Sequence, residues 1–408
     1  MHIPIPDRSP NARNGDADPP RTPTDDEISR QLLAYAAPTD STKNVWAFWH
    51  SGYASMPAWC RRNVINWVRR LGPTWTVRVL DSIPGSPTNA SRFVGPDLLP
   101  RGAFAAATTP SGSKHAGVHA GDAVRLPLLQ LYGGAWMDVG TILIRHLDDV
   151  WDVLDDASTP YELAAMTMPL RGRGEAETAM NGFLVVARRA NAFVTRWHRI
   201  YLGLWADGDA ADATGFHRHR LLRHLLLYTP SRLFAVSPEA FTDYVAHMLC
   251  AERLRDLRCR DDGFDGRRYY ENNVFLLPSF REMFRLQEWS GWDGEKEFDV
   301  LSTRLDDVAN PRVTSHARDL AHDLLENSVV IKLSHGPKGG SATTWLADLW
   351  DDPRHCHADD EPGTLAAYLR ESILSYDHKR RLVPAKVGTL EAPVREAGLL
   401  EPCGTVVG

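Results

Sequence analysis

Short apolar runs typical of strands alternate with longer segments of helical spacing along the middle of the chain. Residues 44–49 (NVWAFW) are apolar, residues 57–71 have helical spacing, and residues 74–80 alternate with β-branched side chains. The same patterns predict strands at residues 135–144, 163–168, 183–187, 274–277 and 329–333, and helices at 115–132, 191–204, 217–228 and 238–257. This alternation predicts an α/β sheet with helices on its faces, and ligands beyond the carboxyl ends of its strands.

The two ends of the 408-residue chain differ from this middle part. Residues 1–43 are rich in Pro, Asp, Asn and Arg, so we expect a disordered or loosely attached tail with a short helix near residues 27–36. Residues 44–350 form the expected main domain. Residues 351–408 are expected to be a C-terminal helical extension and tail.

Composition excludes several classes of protein. The 46 basic and 52 acidic residues give a formal charge of −6, which does not favour a nucleic-acid or anionic-membrane coat but permits a local basic groove. The five cysteines are odd in number and lack CxxC spacing, which argues against a disulfide scaffold or zinc knuckle. No apolar run reaches the roughly 18 residues of a membrane span. We therefore expect a soluble, cytoplasmic protein.

The densest signal lies in residues 119–143 (HAGDAVRLPLLQLYGGAWMDVGTIL). Asp122 and Arg125 are three residues apart, so they share one helix face, either as an ordinary ion pair or as part of a site. A diglycine then permits a tight turn, and an apolar strand follows with Asp138 at its end. A carboxylate there needs a metal ion, a ribose hydroxyl or an arginine as its partner.

A second candidate lies in residues 329–340 (VVIKLSHGPKGG). A buried-looking strand ends at Lys332, Ser334 and His335, and a glycine-rich loop with Lys338 follows. Backbone N–H groups of such a loop can bind phosphate, and Lys338 can add positive charge. A solvated surface loop is the alternative interpretation.

Two weaker candidates come from the middle of the chain. The run LDDVWDVLDD, residues 147–156, can place Asp148, Asp149 and Asp152 on one helix face, with Asp149 as the candidate for substrate binding. The alternative is a helix start favoured by the helix dipole. Asn181 precedes a predicted strand, where it either contacts a sugar or acceptor hydroxyl or belongs to a turn.

Residues 119–143 resemble the signature of nucleotide-sugar glycosyltransferases of the GT-A fold, especially the capsular-polysaccharide-synthesis and family 32 transferases and the glucosylating bacterial toxins. Those families carry an Asp and an Arg on a helix, then Tyr-Gly-Gly, an apolar strand and Asp-x-Asp. Residues 44–52 (NVWAFWHSG) are similar to their first strand. The resemblance implies a GT-A-like, Rossmann-related mixed sheet flanked by helices, with helical additions in the second half.

The resemblance also implies an activity: transfer of a sugar from a nucleotide diphosphate sugar to an unidentified acceptor, with retention of configuration. Trp49 would stack on the base, although it could instead be core. Asp122 and Arg125 would hold the sugar or the diphosphate. Asp138 would bind ribose or touch a metal ion, and Lys338 would meet the diphosphate.

The same resemblance bears on metal binding. It implies Mn²⁺ or Mg²⁺ at Asp138 and His335. The chain departs from the pattern at Gly140, where the second Asp of Asp-x-Asp would stand. This departure argues against a divalent cation, and another cation must then offset the charge on a departing diphosphate.

Two other functions stay open at this point. One is a tRNA-dependent, arginine-containing cyclodipeptide synthase of secondary metabolism on a GT-A-like scaffold, because residues 148–152 (DDVWD) are similar to its acidic motif. Its tRNA surface would use arginine-dense helices, with Arg188, Arg189, Arg196 and Arg199 on one, and Arg253, Arg255, Arg258 and Arg260 on another. The other is an inactive member that only binds a nucleotide or partner.

Overall fold

The computed structural model describes nine segments of the chain: residues 22–100, 116–168, 179–206, 213–225, 227–228, 235–259, 262–335, 343–385 and 395–396. The helices are α1 (Asp25–Leu32), α2 (Ala58–Leu71), α3 (Ala116–Tyr132), α4 (Asp148–Asp155), α5 (Ala192–Ala206), α6 (Pro238–Tyr244), α7 (Ala246–Arg255), α8 (Gly266–Asn273), α9 (Ser279–Glu282), α10 (Arg285–Ser290), α11 (Gly294–Leu301), α12 (Pro311–Asn327), α13 (Leu346–Asp351) and α14 (Leu365–Ile373). The strands are β1 (Asn44–Phe48), β2 (Thr76–Leu80), β3 (Gly134–Met137), β4 (Thr141–Leu143), β5 (Leu163–Met168), β6 (Ala179–Ala187), β7 (Leu257–Arg258), β8 (Val274–Pro278), β9 (Val330–Lys332) and β10 (Arg395–Glu396).

Six strands form the central sheet, in the order β2-β1-β3-β6-β5-β8. β6 runs antiparallel to both of its neighbours, whereas the other pairings are parallel. The expected GT-A-like mixed sheet flanked by helices is therefore confirmed. The carboxyl ends of β1, β2 and β3 meet at one edge, which we call the carboxyl edge.

The sheet is buried on both faces, because successive side chains of a strand point to opposite sides. Val45 and Ala47 belong to one core, and Trp46 and Phe48 belong to the other. The first core also contains side chains of α1, α2, α12 and α14, and the second contains side chains of α3, α5 and α7. Both faces of β1 therefore hold its end in a fixed place.

The segment predicted as one strand at residues 135–144 forms two strands in different sheets. β3 belongs to the central sheet, whereas β4 pairs antiparallel with β9 in a two-stranded sheet. The turn between them holds Asp138 and Gly140. This turn brings β9, which lies almost two hundred residues later, beside the end of β3.

Two local predictions turned out differently. The helix predicted at residues 217–228 is a short 3-10 turn at Phe216–Arg218, because the backbone N–H groups of Gly215 and His217 donate to the Asp243 carboxylate. The first helix begins at Asp25, where Thr24 and Glu27 form a capping box, and it buries Ile28. Within the described segments, no helix combines the length and the apolar character needed to cross a bilayer.

Candidate active site at the carboxyl edge

Trp49 and Asp138 directly follow two adjacent parallel strands. Val45 pairs with Ala135 and Trp46 with Trp136, so β1 and β3 end side by side. Neighbouring strands lie about 5 Å apart. The backbones of Trp49 and Asp138 therefore lie close together at the carboxyl edge, where open α/β sheets bind ligands.

The diglycine before β3 allows this close pairing. Gly134 has a φ of +102°, and a Cβ atom there would lie 2.2 Å from the Asn44 carbonyl oxygen. Gly133 has a φ of +67°, and its carbonyl accepts a hydrogen bond from the Trp46 indole. Only glycine permits both the backbone angles and the approach to β1.

Arg125 joins the helix and strand parts of the densest motif. Its Nη1 lies 3.0 Å from Asp122 Oδ1, one turn earlier on α3, and its Nη2 lies 3.3 Å from Asp138 Oδ1. The Trp136 indole N–H donates to the same Asp138 oxygen at 2.9 Å, and the guanidinium lies over the Trp136 ring. The structure therefore brings Asp122, Arg125 and Asp138 together, and their roles with a substrate stay predictions.

Space for the Arg125 guanidinium comes from Gly182 in β6. A Cβ atom at Gly182 would lie 2.0 Å from Arg125 Nη1 and 3.0 Å from its Cζ. Sequence reasoning singled out the neighbouring Asn181 and not this glycine. The structure describes Asn181 only as a backbone position of β6.

Behind Arg125 lies a buried group of polar side chains that sequence reasoning did not use. His247 on α7 has its Nδ1 3.5 Å from Arg125 Nη1, and its ring packs against Trp197. Burial lowers the pKa of His247 to about 3, while Asp122 opposes and Arg125 reinforces that shift. Burial alone would raise the pKa of Asp122, but Arg125 and His119 outweigh it and lower that pKa. A neutral imidazole and an ionised carboxylate therefore both face the guanidinium.

Lys332 is the second cation at the site. It lies in β9 opposite Thr141, and its Nζ is 3.7 Å from Asp138 Oδ2. The same Nζ donates to the Leu333 carbonyl at 2.9 Å. The sequence pattern includes this lysine, but the predicted phosphate contact is Lys338, which lies outside the described residues. A lysine within an apolar strand was the signal for a paired, buried charge.

Gly140 stands where the Asp-x-Asp pattern has its second carboxylate, and the space beside it is filled. A Cβ atom at Gly140 would lie 2.5 Å from the Leu333 carbonyl oxygen, 3.2 Å from Lys332 Nζ and 3.4 Å from the Trp59 ring. The Gly140 carbonyl also accepts the Leu333 N–H at 2.8 Å. The Leu333 backbone and the Lys332 ammonium therefore occupy the space that a side chain at position 140 would need.

These residues do not fit a resident divalent cation. An ion about 2.1 Å from Asp138 Oδ2 would lie within about 6 Å of the Lys332 ammonium. At that separation the two positive charges repel each other, which offsets part of the attraction of the ion to Asp138. His335 Nε2 donates to Asp351 Oδ2 at 2.8 Å, and the other oxygen of Asp351 accepts from the Trp59 indole. Among the described residues, no three His, Cys, Asp or Glu side chains are grouped to hold a metal.

Trp49 carries an unused donor. Its side chain is partly buried against the first core, and its indole Nε1 is buried with no hydrogen-bond partner among the described residues. A buried N–H without a partner has a free-energy cost of roughly 1–3 kcal/mol, which a ligand acceptor would remove. The predicted contact with a base stays a prediction.

The structure does not bring Asp149 to this edge. Asp149 accepts from Arg145 at 2.9 Å, and its neighbour Asp148 accepts from Lys43 and Trp75. Lys43 and Trp75 come just before β1 and β2, at the amino ends of the strands. The acidic helix start therefore lies at the opposite edge of the sheet from Asp138.

Two arginines of the second predicted tRNA-binding helix are buried in the structure. Arg253 and Arg255 are buried, with 2% of each exposed. Arg253 donates to the Leu221 carbonyl, and Arg255 lies over the Tyr270 ring. Arginines buried in this way cannot contact an RNA backbone, so the second of the two helices does not provide the expected surface.

Comparison with known proteins identifies the family. The sequence profile described as "Capsular polysaccharide synthesis protein" matches residues 24–212. The chain is 44% identical to O-glycosyltransferase braB of Annulohypoxylon truncatum over 93% of this chain and 90% of that protein. It is 40% identical to O-glycosyltransferase PaGT of Phomopsis amygdali, over 93% of each. It is 41% identical to Glycosyltransferase afumC of Aspergillus fumigatus, over 93% of this chain and 96% of that protein.

Among solved structures, a galactosyltransferase LgtC in complex with donor and acceptor sugar analogs aligns with 82% of this chain and 97% of its own, at 12% identity and a TM-score of 0.34. That similarity is too low to decide anything about the site. The matches give no support to a tRNA-dependent synthase, since the curated relatives above are glycosyltransferases. An enzyme of the transferase type was expected, and this is confirmed: the chain belongs to the glycosyltransferase family of these fungal proteins.

Proposed function

We propose that this enzyme transfers a sugar from a nucleoside diphosphate sugar to a hydroxyl group of a small acceptor, with retention of configuration. The observation that carries the proposal is the placement of Trp49 and Asp138 at the ends of adjacent strands. An aromatic ring and a charged cluster that follow adjacent strands at one edge of the sheet match the two halves of a nucleoside diphosphate.

The donor is proposed to lie along the carboxyl edge. The base stacks on Trp49, a contact worth roughly 1–3 kcal/mol in other nucleic-acid sites. The diphosphate faces Arg125, and Asp138 receives a ribose hydroxyl. Lys338 is the further proposed diphosphate contact.

Retention is proposed to proceed on one face of the sugar. The bond between the sugar C1 and the β-phosphate oxygen breaks, and its electron pair leaves with the diphosphate. The acceptor hydroxyl oxygen forms the new bond to C1 on the same face, and its proton passes to the departing phosphate oxygen. Asp122 and Asp138 both pair with Arg125, which favours this course over attack by a carboxylate.

The acceptor is proposed to be a hydroxyl-bearing small molecule of secondary metabolism. Two of the relatives are named O-glycosyltransferases, which supports an oxygen as the atom that receives the sugar. The acceptor would bind beside the donor sugar, beyond β6, where Asn181 is proposed to contribute a contact.

The test is a panel of nucleoside diphosphate sugars, with release of nucleoside diphosphate as the readout. We expect one donor to be turned over, and Asp138→Asn to lower that rate at least about 100-fold. Asp149→Asn removes a carboxylate at the opposite edge and is the matched control, expected to keep the wild-type rate. Proton NMR of the product then gives the anomeric configuration. Full activity of Asp138→Asn would overturn the site, and an inverted product would overturn retention.

A further inference from the structure

The space that a second carboxylate and its metal ion would need is taken by Lys332. A Cβ atom at Gly140 would lie 3.2 Å from Lys332 Nζ, and that Nζ lies 3.7 Å from Asp138 Oδ2. We propose that the Lys332 ammonium stands in for the divalent cation, so that Lys332 and Arg125 together offset the charge of the departing diphosphate without a metal. This inference rests on the proposed nucleoside diphosphate donor.

The lysine is held in place by the backbone on both sides. Its own N–H donates to the Met283 carbonyl at 3.3 Å, and its carbonyl accepts from Gln287 Nε2 at 3.1 Å. Its ammonium donates to the Leu333 carbonyl at 2.9 Å, and its side chain is only 8% exposed. A cation fixed in this way needs no rearrangement when negative charge develops beside it, which is the condition for strong electrostatic stabilisation.

Asp138 lies between two cations. Arg125 Nη2 approaches its Oδ1 and Lys332 Nζ faces its Oδ2, so positive charge borders both oxygens. A dication bound to this carboxylate would have to displace one of them or lie close to both. A diphosphate has the opposite sign and is attracted by both.

In the proposed reaction, Lys332 contributes only its positive charge and its hydrogen bonds. As the C1–O bond breaks, negative charge grows on the β-phosphate oxygens, and an ammonium can donate hydrogen bonds to them. No bond forms to the lysine, and it keeps its proton. The proton from the acceptor hydroxyl goes to the leaving phosphate oxygen, as in the transfer step proposed above.

The first experiment needs no nucleotide. Mn²⁺ is titrated into the purified wild-type chain, and free Mn²⁺ is followed by electron paramagnetic resonance. We expect the signal of free Mn²⁺ to increase with each addition by the same amount as in buffer without protein. Uptake of one equivalent in the micromolar range would overturn the inference, whatever the donor proves to be.

The second experiment measures binding of UDP, GDP and dTDP by calorimetry, in EDTA and in Mn²⁺. We expect the affinity of the bound nucleotide to be the same in both, and Lys332→Met to weaken it about 10- to 100-fold in EDTA. Lys43→Met removes a part-exposed lysine at the opposite edge and is the matched control. Affinity that requires Mn²⁺, or that is unchanged in a folded Lys332→Met variant, would overturn the inference. Failure of every nucleotide to bind in either buffer would instead count against the proposed function, and the Mn²⁺ titration would still decide the metal question.

Discussion

Arg125 Nη2 lies 3.3 Å from Asp138 Oδ1, so one ion pair joins the middle of α3 to the residue that follows β3. The same guanidinium pairs with Asp122 inside α3. Arg125 and Asp122 are both about nine-tenths buried, and such charges persist only when they are paired. Arg125 therefore positions Asp138 as well as being a candidate diphosphate contact.

Removing the guanidinium should destabilise the fold as well as abolish activity. Arg125→Met leaves the Asp122 carboxylate buried without its partner, and we expect the free energy of unfolding in urea to fall by about 3–5 kcal/mol. Arg125→Met combined with Asp122→Asn should be less destabilised than the sum of the two single variants, because the stranded charge is gone. Simple additivity in the double-mutant cycle would contradict the buried pair.

A methyl group at Gly182 should lower the transfer rate more than it lowers the stability. In Gly182→Ala the new Cβ meets Nη1 of Arg125, the nitrogen that pairs with Asp122, so the guanidinium must shift from its place between Asp122 and Asp138. Because the guanidinium belongs to a flexible side chain, we expect a stability loss of only about 1 kcal/mol but a clear loss of transfer rate. Gly121→Ala on α3 is the control, since its Cβ would make only ordinary contacts with Phe48 and Trp136. Equal transfer rates for the two variants would show that the transfer rate does not depend on the position of the Arg125 guanidinium.

His247 should make the protein less stable in mild acid. Its pKa is about 3 in the folded state, against about 6.5 when unfolded, so between these values the unfolded chain binds the extra proton. The contribution of His247 to the free energy of unfolding is fully present above pH 6.5. It is lost as the pH falls towards 3, by about 1.4 kcal/mol per pH unit.

His247→Phe isolates this effect, since the ring still packs against Trp197 and Tyr201. The difference in unfolding free energy between wild type and variant should change by about 1.4 kcal/mol between pH 5.5 and 4.5. A difference that does not vary with pH would mean that the folded protein binds the proton as readily as the unfolded chain.

The C-terminal helix α14 should support the site from a distance. Arg370 donates to the Asn63 side chain at 2.9 Å and pairs with Asp359 at 2.6 Å, and Asn63 donates to the Val139 carbonyl in the turn after Asp138. We expect Asp359→Asn to lower the free energy of unfolding by about 3–5 kcal/mol, because Arg370 is left buried with a weaker partner. Asp352→Asn, at an exposed pair with Arg354, is the control and should change it by less than about 1 kcal/mol.

Much of the site could be predicted because its parts are close in sequence. Helical spacing placed Asp122 and Arg125 on one face, and the diglycine and apolar run placed Asp138 at the end of the next strand. A separate apolar strand put Trp49 at the same kind of position. The resemblance to GT-A enzymes added roles to these residues, which local patterns could not supply.

Other predictions failed because local patterns do not show what a side chain will meet. The helix predicted at residues 217–228 gave way to turns held by Asp243, which lies on α6. The arginines of α7 looked like a surface charge cluster, yet Arg253 and Arg255 are buried. In both places a tertiary contact outweighed the local preference.

The sequence by itself determined most of the order of strands and helices, and the position of Asp138 at the end of a strand, since both follow from spacing along one chain. Only the tertiary structure decided that Lys332 faces Asp138 beside Gly140, and that Gly182 makes room for Arg125. Those contacts join residues far apart in the chain, and their geometry depends on how β9 and β6 pack against the end of β3, which no local pattern encodes.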